Sequence, residues 1–107
     1  MRSASAHVDT FARDRLPPQS MWPAMPGVES LGYPARINVA DVLLDEWVAR
    51  GQGDRTALHF AGGRWSYREL MERSNRIANV LVEDLGVRPG QRVLLRGPNS
   101  PMMIALL

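Results

Sequence analysis

The sequence has neither cysteine nor lysine, and all 13 of its basic residues are arginine. The missing cysteine excludes disulfides, thiolate metal sites and thiol nucleophiles, and it fits a reducing compartment. The missing lysine means that any chemical step requiring an ammonium group must obtain it from outside these 107 residues. A chain of this length forms one small domain or part of a larger one.

Long hydrophobic runs are also missing. No segment approaches the ~18 consecutive apolar residues of a membrane span, and the opening stretch MRSASAHVD lacks the apolar core of a signal peptide. We therefore expect a cytoplasmic protein with no membrane partner.

The charge pattern gives little support for nucleic-acid binding. The formal net charge is only +2, and three pairs have the acid four residues before the arginine: Glu46–Arg50, Glu69–Arg73 and Glu72–Arg76. This order stabilises a solvated helix face, and no basic stripe with interleaved aromatic residues occurs. We expect no nucleic-acid partner.

The sequence divides into a proline-rich arm over residues 1–37 and a more regular part over residues 38–107. Pro17 and Pro18 end a short predicted helix in the segment DTFARDRL, and Pro23, Pro26 and Pro34 then keep the arm extended. Its scattered apolar side chains favour packing across the body of the same protein. The segment PAMP also matches a PxxP ligand, so a small protein-interaction domain that uses this arm and Trp22 is an alternative.

The second part begins with a predicted helix from Asn38 to Arg50, with Gly51 as its left-handed end. A hairpin follows, in which Gly62-Gly63 joins a strand over Thr56–Ala61 to a short return strand. His59 lies in the first strand, and no second histidine or carboxylate stands nearby in sequence to partner it. This isolation favours a structural role for His59.

The clearest signal predicts a helix from Ser66 to Leu85, which begins with an S-x-x-E capping box and is followed by Gly86. The segment Arg92–Arg96 has adjacent apolar residues, as in a strand buried on both faces of a parallel sheet. Another helix begins near Ser100. A strand followed by a helix opens a βαβ unit, so the order of elements predicts an α/β fold.

Four segments, in consistent order, resemble the amino-terminal region of adenylate-forming enzymes: WSYREL (Trp65–Leu70), RIANVL (Arg76–Leu81), LGVRPGQRVLL (Leu85–Leu95) and PNSP (Pro98–Pro101). This superfamily includes the AMP-forming acyl- and aryl-CoA synthetases and the adenylation domains of peptide synthetases. Two further segments, HVDTFARDRLPPQSMWP and YPARINVADVLLD, are similar to the start of bacterial 2-aminobenzoate- and benzoate-type CoA ligases.

The resemblance implies that residues 38–107 are the truncated start of the large N-terminal domain of a carboxylate–CoA ligase, with helix, β-hairpin, helix, buried strand and the start of another helix. The intact enzyme would use ATP, Mg²⁺ and coenzyme A to convert an aromatic acid, such as 2-aminobenzoate or benzoate, into its thioester, releasing AMP and pyrophosphate. A fatty acyl-CoA ligase and a peptide-synthetase adenylation domain remain alternatives.

The catalytic groups of this superfamily do not map onto the chain. They are a phosphate loop ending in lysine, a Tyr-Gly-x-Thr-Glu stretch with the magnesium carboxylate, a hinge aspartate and a lysine of the C-terminal domain. No catalytic, cofactor-binding or metal-binding residue is therefore assigned. The matching positions have scaffold roles: Tyr67, Glu69 and Leu70 begin a helix, Gly86 and Gly90 shape its exit, and Arg92–Leu95 form a strand.

We expect the 107-residue chain by itself to bind no cofactor and to have no ligase activity. We also expect it to self-associate, because apolar surface that the missing strands would cover stays exposed.

Overall fold

The computed structural model describes residues 10–27, 29–34 and 36–107. The chain divides into two compact units, of which one comprises Met1–Ile37 with Pro89–Arg92 and the other comprises Asn38–Arg88 with Val93–Leu107. The predicted arm includes residues 1–9, 28 and 35, which lie outside the described residues.

The described residues of the first unit form short helical turns. Helix α1 covers Phe11–Asp14, and two 3₁₀ turns cover Gln19–Met21 and Glu29–Leu31. The indole Nε1 of Trp22 donates a hydrogen bond to the carbonyl oxygen of Pro17, at 2.9 Å. Several large apolar side chains of this unit are exposed: Phe11, Met21, Met25, Leu31 and Tyr33.

The second unit begins with helix α2, over residues 39–52. The side-chain Oδ1 of Asn38 accepts a hydrogen bond from the Ala40 amide at 3.1 Å, as the predicted cap requires. Two segments of α2, Asp41–Asp45 and Val48–Gln52, have the wider π-helical turn. Gly51 has the left-handed φ predicted for it, 77°, and this kink interrupts the helical conformation after Arg50, so that only the distorted last residues of α2 follow.

An antiparallel hairpin follows α2, with β1 at Thr56–Phe60 and β2 at Gly63–Ser66. Ala61 and Gly62 form the turn, one residue earlier than the sequence pattern predicts. Gly63, whose φ is 141°, instead pairs with Phe60 as the first residue of β2. The rings of Phe60 and Trp65 meet edge to face, with centroids 5.5 Å apart.

The longest helix, α3, covers Tyr67–Asn79 and continues through a π-helical segment, Val80–Asp84. Its predicted capping box is present: the Ser66 hydroxyl accepts from the Glu69 amide at 3.2 Å, and the Glu69 carboxylate accepts from the Ser66 amide at 2.8 Å. Gly86, with a φ of 65°, turns the chain away after the helix.

Helix α3 contacts α2, both strands and the final helix α4, which covers Pro101–Leu106. Leu70 on α3 and Ala105 on α4 are the buried apolar residues of the part that the structure describes, each 5% exposed. The hydroxyl of Ser74 joins the two helices by donating to the Ala105 carbonyl oxygen at 3.1 Å. The core is therefore small and centred on α3.

The prediction of a buried strand over Arg92–Arg96 is wrong for this structure. Residues 91–98 have no regular secondary structure, and Leu94 is 93% exposed. A strand requires a paired neighbour, and the sheet of the described residues consists of β1 and β2 alone. The mixture of helices with a two-stranded sheet is otherwise that of part of an α/β domain, so the predicted fold class is confirmed.

Candidate functional site

The N-terminus of α3 carries several of the residues that the sequence pattern singles out. Its first three amides all have partners within the chain. The Tyr67 amide donates to the Arg55 carbonyl oxygen at 3.0 Å, and the Arg68 amide donates to the Gly53 carbonyl oxygen at 2.9 Å. The Glu69 amide donates to the Ser66 hydroxyl oxygen. A helix N-terminus binds phosphate through free amides, and these three are already engaged.

The turn before the hairpin is held close to α3. Gly53 is buried, and a Cβ atom at this position would lie 2.8 Å from Nη2 of Arg68. The Arg68 guanidinium also lies 3.6 Å from the carboxylate of Asp54, where both groups reach solvent. Such an exposed pair contributes little to stability. The turn is therefore held mainly by the hydrogen bond from the Arg68 amide to the Gly53 carbonyl oxygen.

Two aromatic–arginine clusters pack against α3. In the first, the rings of Trp47 and Tyr67 stack with centroids 5.6 Å apart, and the Arg55 guanidinium carbon lies 5.7 Å from the Trp47 ring centre. In the second, the guanidinium carbon of Arg73 lies 4.1 Å above the ring of Trp65. The first cluster joins α2 to α3 across the intervening hairpin, and the second joins β2 to α3.

The turn into α4, RGPNSP, resembles a nucleotide-binding loop in composition, and the structure supports the simpler interpretation of a helix-start turn. Ser100 is the N-cap, since its hydroxyl accepts from the Met103 amide at 3.3 Å. Pro98 and Pro101 have no amide hydrogen to offer an anion. Gly97 provides room for Met103, whose Cε would be 2.8 Å from a Cβ atom at position 97.

A hollow of about 310 Å³ lies between β1 and the start of α4. Its polar lining residues are His59, Asn99 and Ser100, and Ser100 is already committed to the helix cap. His59 is exposed and stands opposite Arg64 in the hairpin, and its structural role stays a prediction. Within the described ranges, no group of three histidine, cysteine, aspartate or glutamate residues is placed to hold a metal ion.

A second hollow, of about 390 Å³, lies beside the end of α3 and is almost entirely apolar. It is lined by Ile77, Val80, Leu81, Leu85 and Leu106, with Arg76 beside them. Val80 and Leu85 are exposed to solvent here. This surface has the composition of a packing face, because Arg76 is the one polar residue among those that line it.

The scaffold roles predicted for the singled-out residues are met in part. Tyr67, Glu69 and Leu70 lie in the first turns of α3, and Gly86 and Gly90 both have positive φ angles, of 65° and 88°. Arg92–Leu95 do not form their predicted strand. The contacts of Gly53 and Ser74 were not predicted, because each joins residues that are distant in sequence and follows no local pattern.

Comparison with known proteins identifies the class to which this fold and these motifs belong. A family described as AMP-binding enzyme matches residues 44–107. An acetyl-coenzyme A synthetase of Streptomyces avermitilis is 36% identical over 77 residues, covering 67% of this chain and 12% of that protein. The 3-hydroxybenzoate–CoA/4-hydroxybenzoate–CoA ligase of Thauera aromatica is 36% identical over 77 residues, covering 72% of this chain and 14% of its own length. The benzoate–CoA ligase of the same organism is 37% identical over 66 residues, which are 62% of this chain and 12% of that enzyme.

The chain belongs to the AMP-binding enzyme family, and the resemblance to adenylate-forming enzymes is confirmed. It spans 12–14% of the length of these relatives. No solved structure gives a significant match. In the described part of the chain, no helix is both long and apolar enough to cross a bilayer.

The residues present do not fit ATP or its magnesium ion. The amides at the start of α3 are engaged, the sequence has no lysine, and no carboxylate cluster occurs among the residues described. Any ammonium group that neutralises phosphate charge in an adenylation reaction must therefore come from outside these 107 residues.

Proposed function

We propose that this chain is a scaffold segment from the N-terminal end of an AMP-forming carboxylate–CoA ligase that activates an aromatic acid such as benzoate or 2-aminobenzoate. The family match over residues 44–107 carries the proposal. Its aromatic part is supported by the two Thauera aromatica relatives, whose names specify benzoate and hydroxybenzoates, and by the similarity of the arm to 2-aminobenzoate- and benzoate-type ligases.

The proposed reaction has two steps. A carboxylate oxygen of the acid attacks the α-phosphorus of ATP and displaces pyrophosphate, leaving an acyl-adenylate. The sulfur of coenzyme A then attacks the acyl carbon and expels AMP, so a thioester forms. Mg²⁺ would offset the charge of the transferring phosphate. We assign no residue of this chain to either step.

The role proposed for the chain is to hold the first elements of the ligase domain in place. Helix α3 supplies the common packing surface through Leu70, and Ser74 fixes α4 against it. The aromatic contact between Trp47 and Tyr67 holds α2 on the same helix.

The decisive experiment is to read the DNA downstream of codon 107 and to express the complete open reading frame. We expect an in-frame Ser/Thr/Gly-rich loop that ends in lysine. The purified product should release pyrophosphate and form a thioester with benzoate or 2-aminobenzoate, ATP and coenzyme A, ahead of acetate and a long-chain fatty acid. Preference for a fatty acid, or for a carrier-protein thiol in place of coenzyme A, would replace the aromatic assignment within the same family.

A matched control uses the 107-residue chain under identical conditions. We expect no pyrophosphate release above background with any of the acids, since the chain has no lysine and its helix amides are engaged. Turnover by the chain alone would overturn the scaffold assignment. The proposal also places the enzyme in the cytoplasm, where ATP and coenzyme A are available, and cell fractionation tests this point.

A further inference from the structure

We draw no further inference here: the strongest candidate, the apolar hollow beside the end of α3 that Ile77, Val80, Leu81, Leu85 and Leu106 line, carries nothing because the structure contains no contact that shows which segment or partner covers it.

Discussion

At the scale of single residues, Arg73 contacts an aromatic ring and not the carboxylate that its sequence spacing predicts as its partner. Its spacing from Glu69 predicts an ion pair, but the described residues contain no such pair, and the Glu69 carboxylate accepts a hydrogen bond from the Ser66 amide. The Arg73 guanidinium lies over the Trp65 ring instead, 4.1 Å from its centre. The two other predicted pairs, Glu46–Arg50 and Glu72–Arg76, are present at 2.6 Å and 4.0 Å. Arginine suits this stacked position because its planar cation interacts with an aromatic face.

The coupling between Trp65 and Arg73 can be measured with a double-mutant cycle. We expect Trp65→Leu and Arg73→Gln to show an interaction free energy of about 0.5–1 kcal/mol in urea unfolding followed by circular dichroism. The control cycle, Glu72→Gln with Arg76→Gln, removes an exposed pair 4.0 Å apart and should give less than about 0.5 kcal/mol. Equal coupling in the two cycles would show that Arg73 does not interact with the ring.

Two nearby glycines should respond differently to the same substitution. Gly51 has a φ of 77° and open space around it, so Gly51→Ala should cost about 1 kcal/mol of unfolding free energy through backbone strain. Gly53 has an ordinary φ of −59°, and the group it would meet is the end of the flexible Arg68 side chain. Gly53→Ala should therefore change stability by less than about 0.5 kcal/mol.

Chemical denaturation of both variants tests this contrast, with Gly51→Asn as a further control. Asparagine tolerates the left-handed region better than alanine does, so Gly51→Asn should recover part of the loss. If Gly53→Ala proved the more destabilising of the two, crowding rather than backbone conformation would govern this turn.

At the scale of elements, the start of α3 is determined locally by its capping box. Ser66→Ala should cost about 1 kcal/mol, because it leaves the Glu69 amide without its acceptor. Glu69→Ala should also destabilise, since the Ser66 amide then loses the carboxylate that binds it. Glu69→Gln keeps a side-chain acceptor and should stay close to the parent protein. Amide hydrogen exchange in the first turn of α3 measures the loss of stability in all three variants. A Glu69→Gln variant as unstable as Glu69→Ala would contradict the capping role.

The sequence predicts well those elements whose residues lie close together along the chain. The capping box, the left-handed glycines at positions 51 and 86 and the start of α4 each depend on residues within a few positions of one another. The strand predicted over Arg92–Arg96 depends on a pairing partner, which local residues cannot supply, and Leu94 is consequently exposed. The hairpin turn moved by one residue because Gly63 pairs in β2 despite its unusual φ.

In the candidate site, too, local features could be predicted from the sequence and long-range contacts could not. The positions of Tyr67 and Glu69 at the start of a helix could be predicted, because the pattern S-x-x-E specifies them. That the amides of α3 are closed to a phosphate could not be predicted. This closure depends on the carbonyl groups of Gly53 and Arg55, more than ten residues earlier in the chain.

At the scale of the whole molecule, we predict that the 107-residue chain self-associates through apolar surface near the end of α3. Light scattering should show a mass that rises with protein concentration, and added salt should not reverse it, because burial of apolar groups is the driving force. Leu85→Glu should lower the association. Met21→Glu, at a similarly exposed position in the other unit (71% against 67%), is the matched control and should have a smaller effect. A monomer at every concentration would contradict the prediction.

Helix α3 touches every other regular element of its unit, and two of the four, β2 and α4, are its immediate neighbours along the chain. The unit can therefore assemble around this one helix. Contacts between elements that are close in sequence favour rapid folding, and the N-terminal part of a chain leaves the ribosome first during translation. A ribosome-bound nascent chain can thus bring α2, the hairpin and α3 together before Pro101 has left the exit tunnel, with α4 docking last.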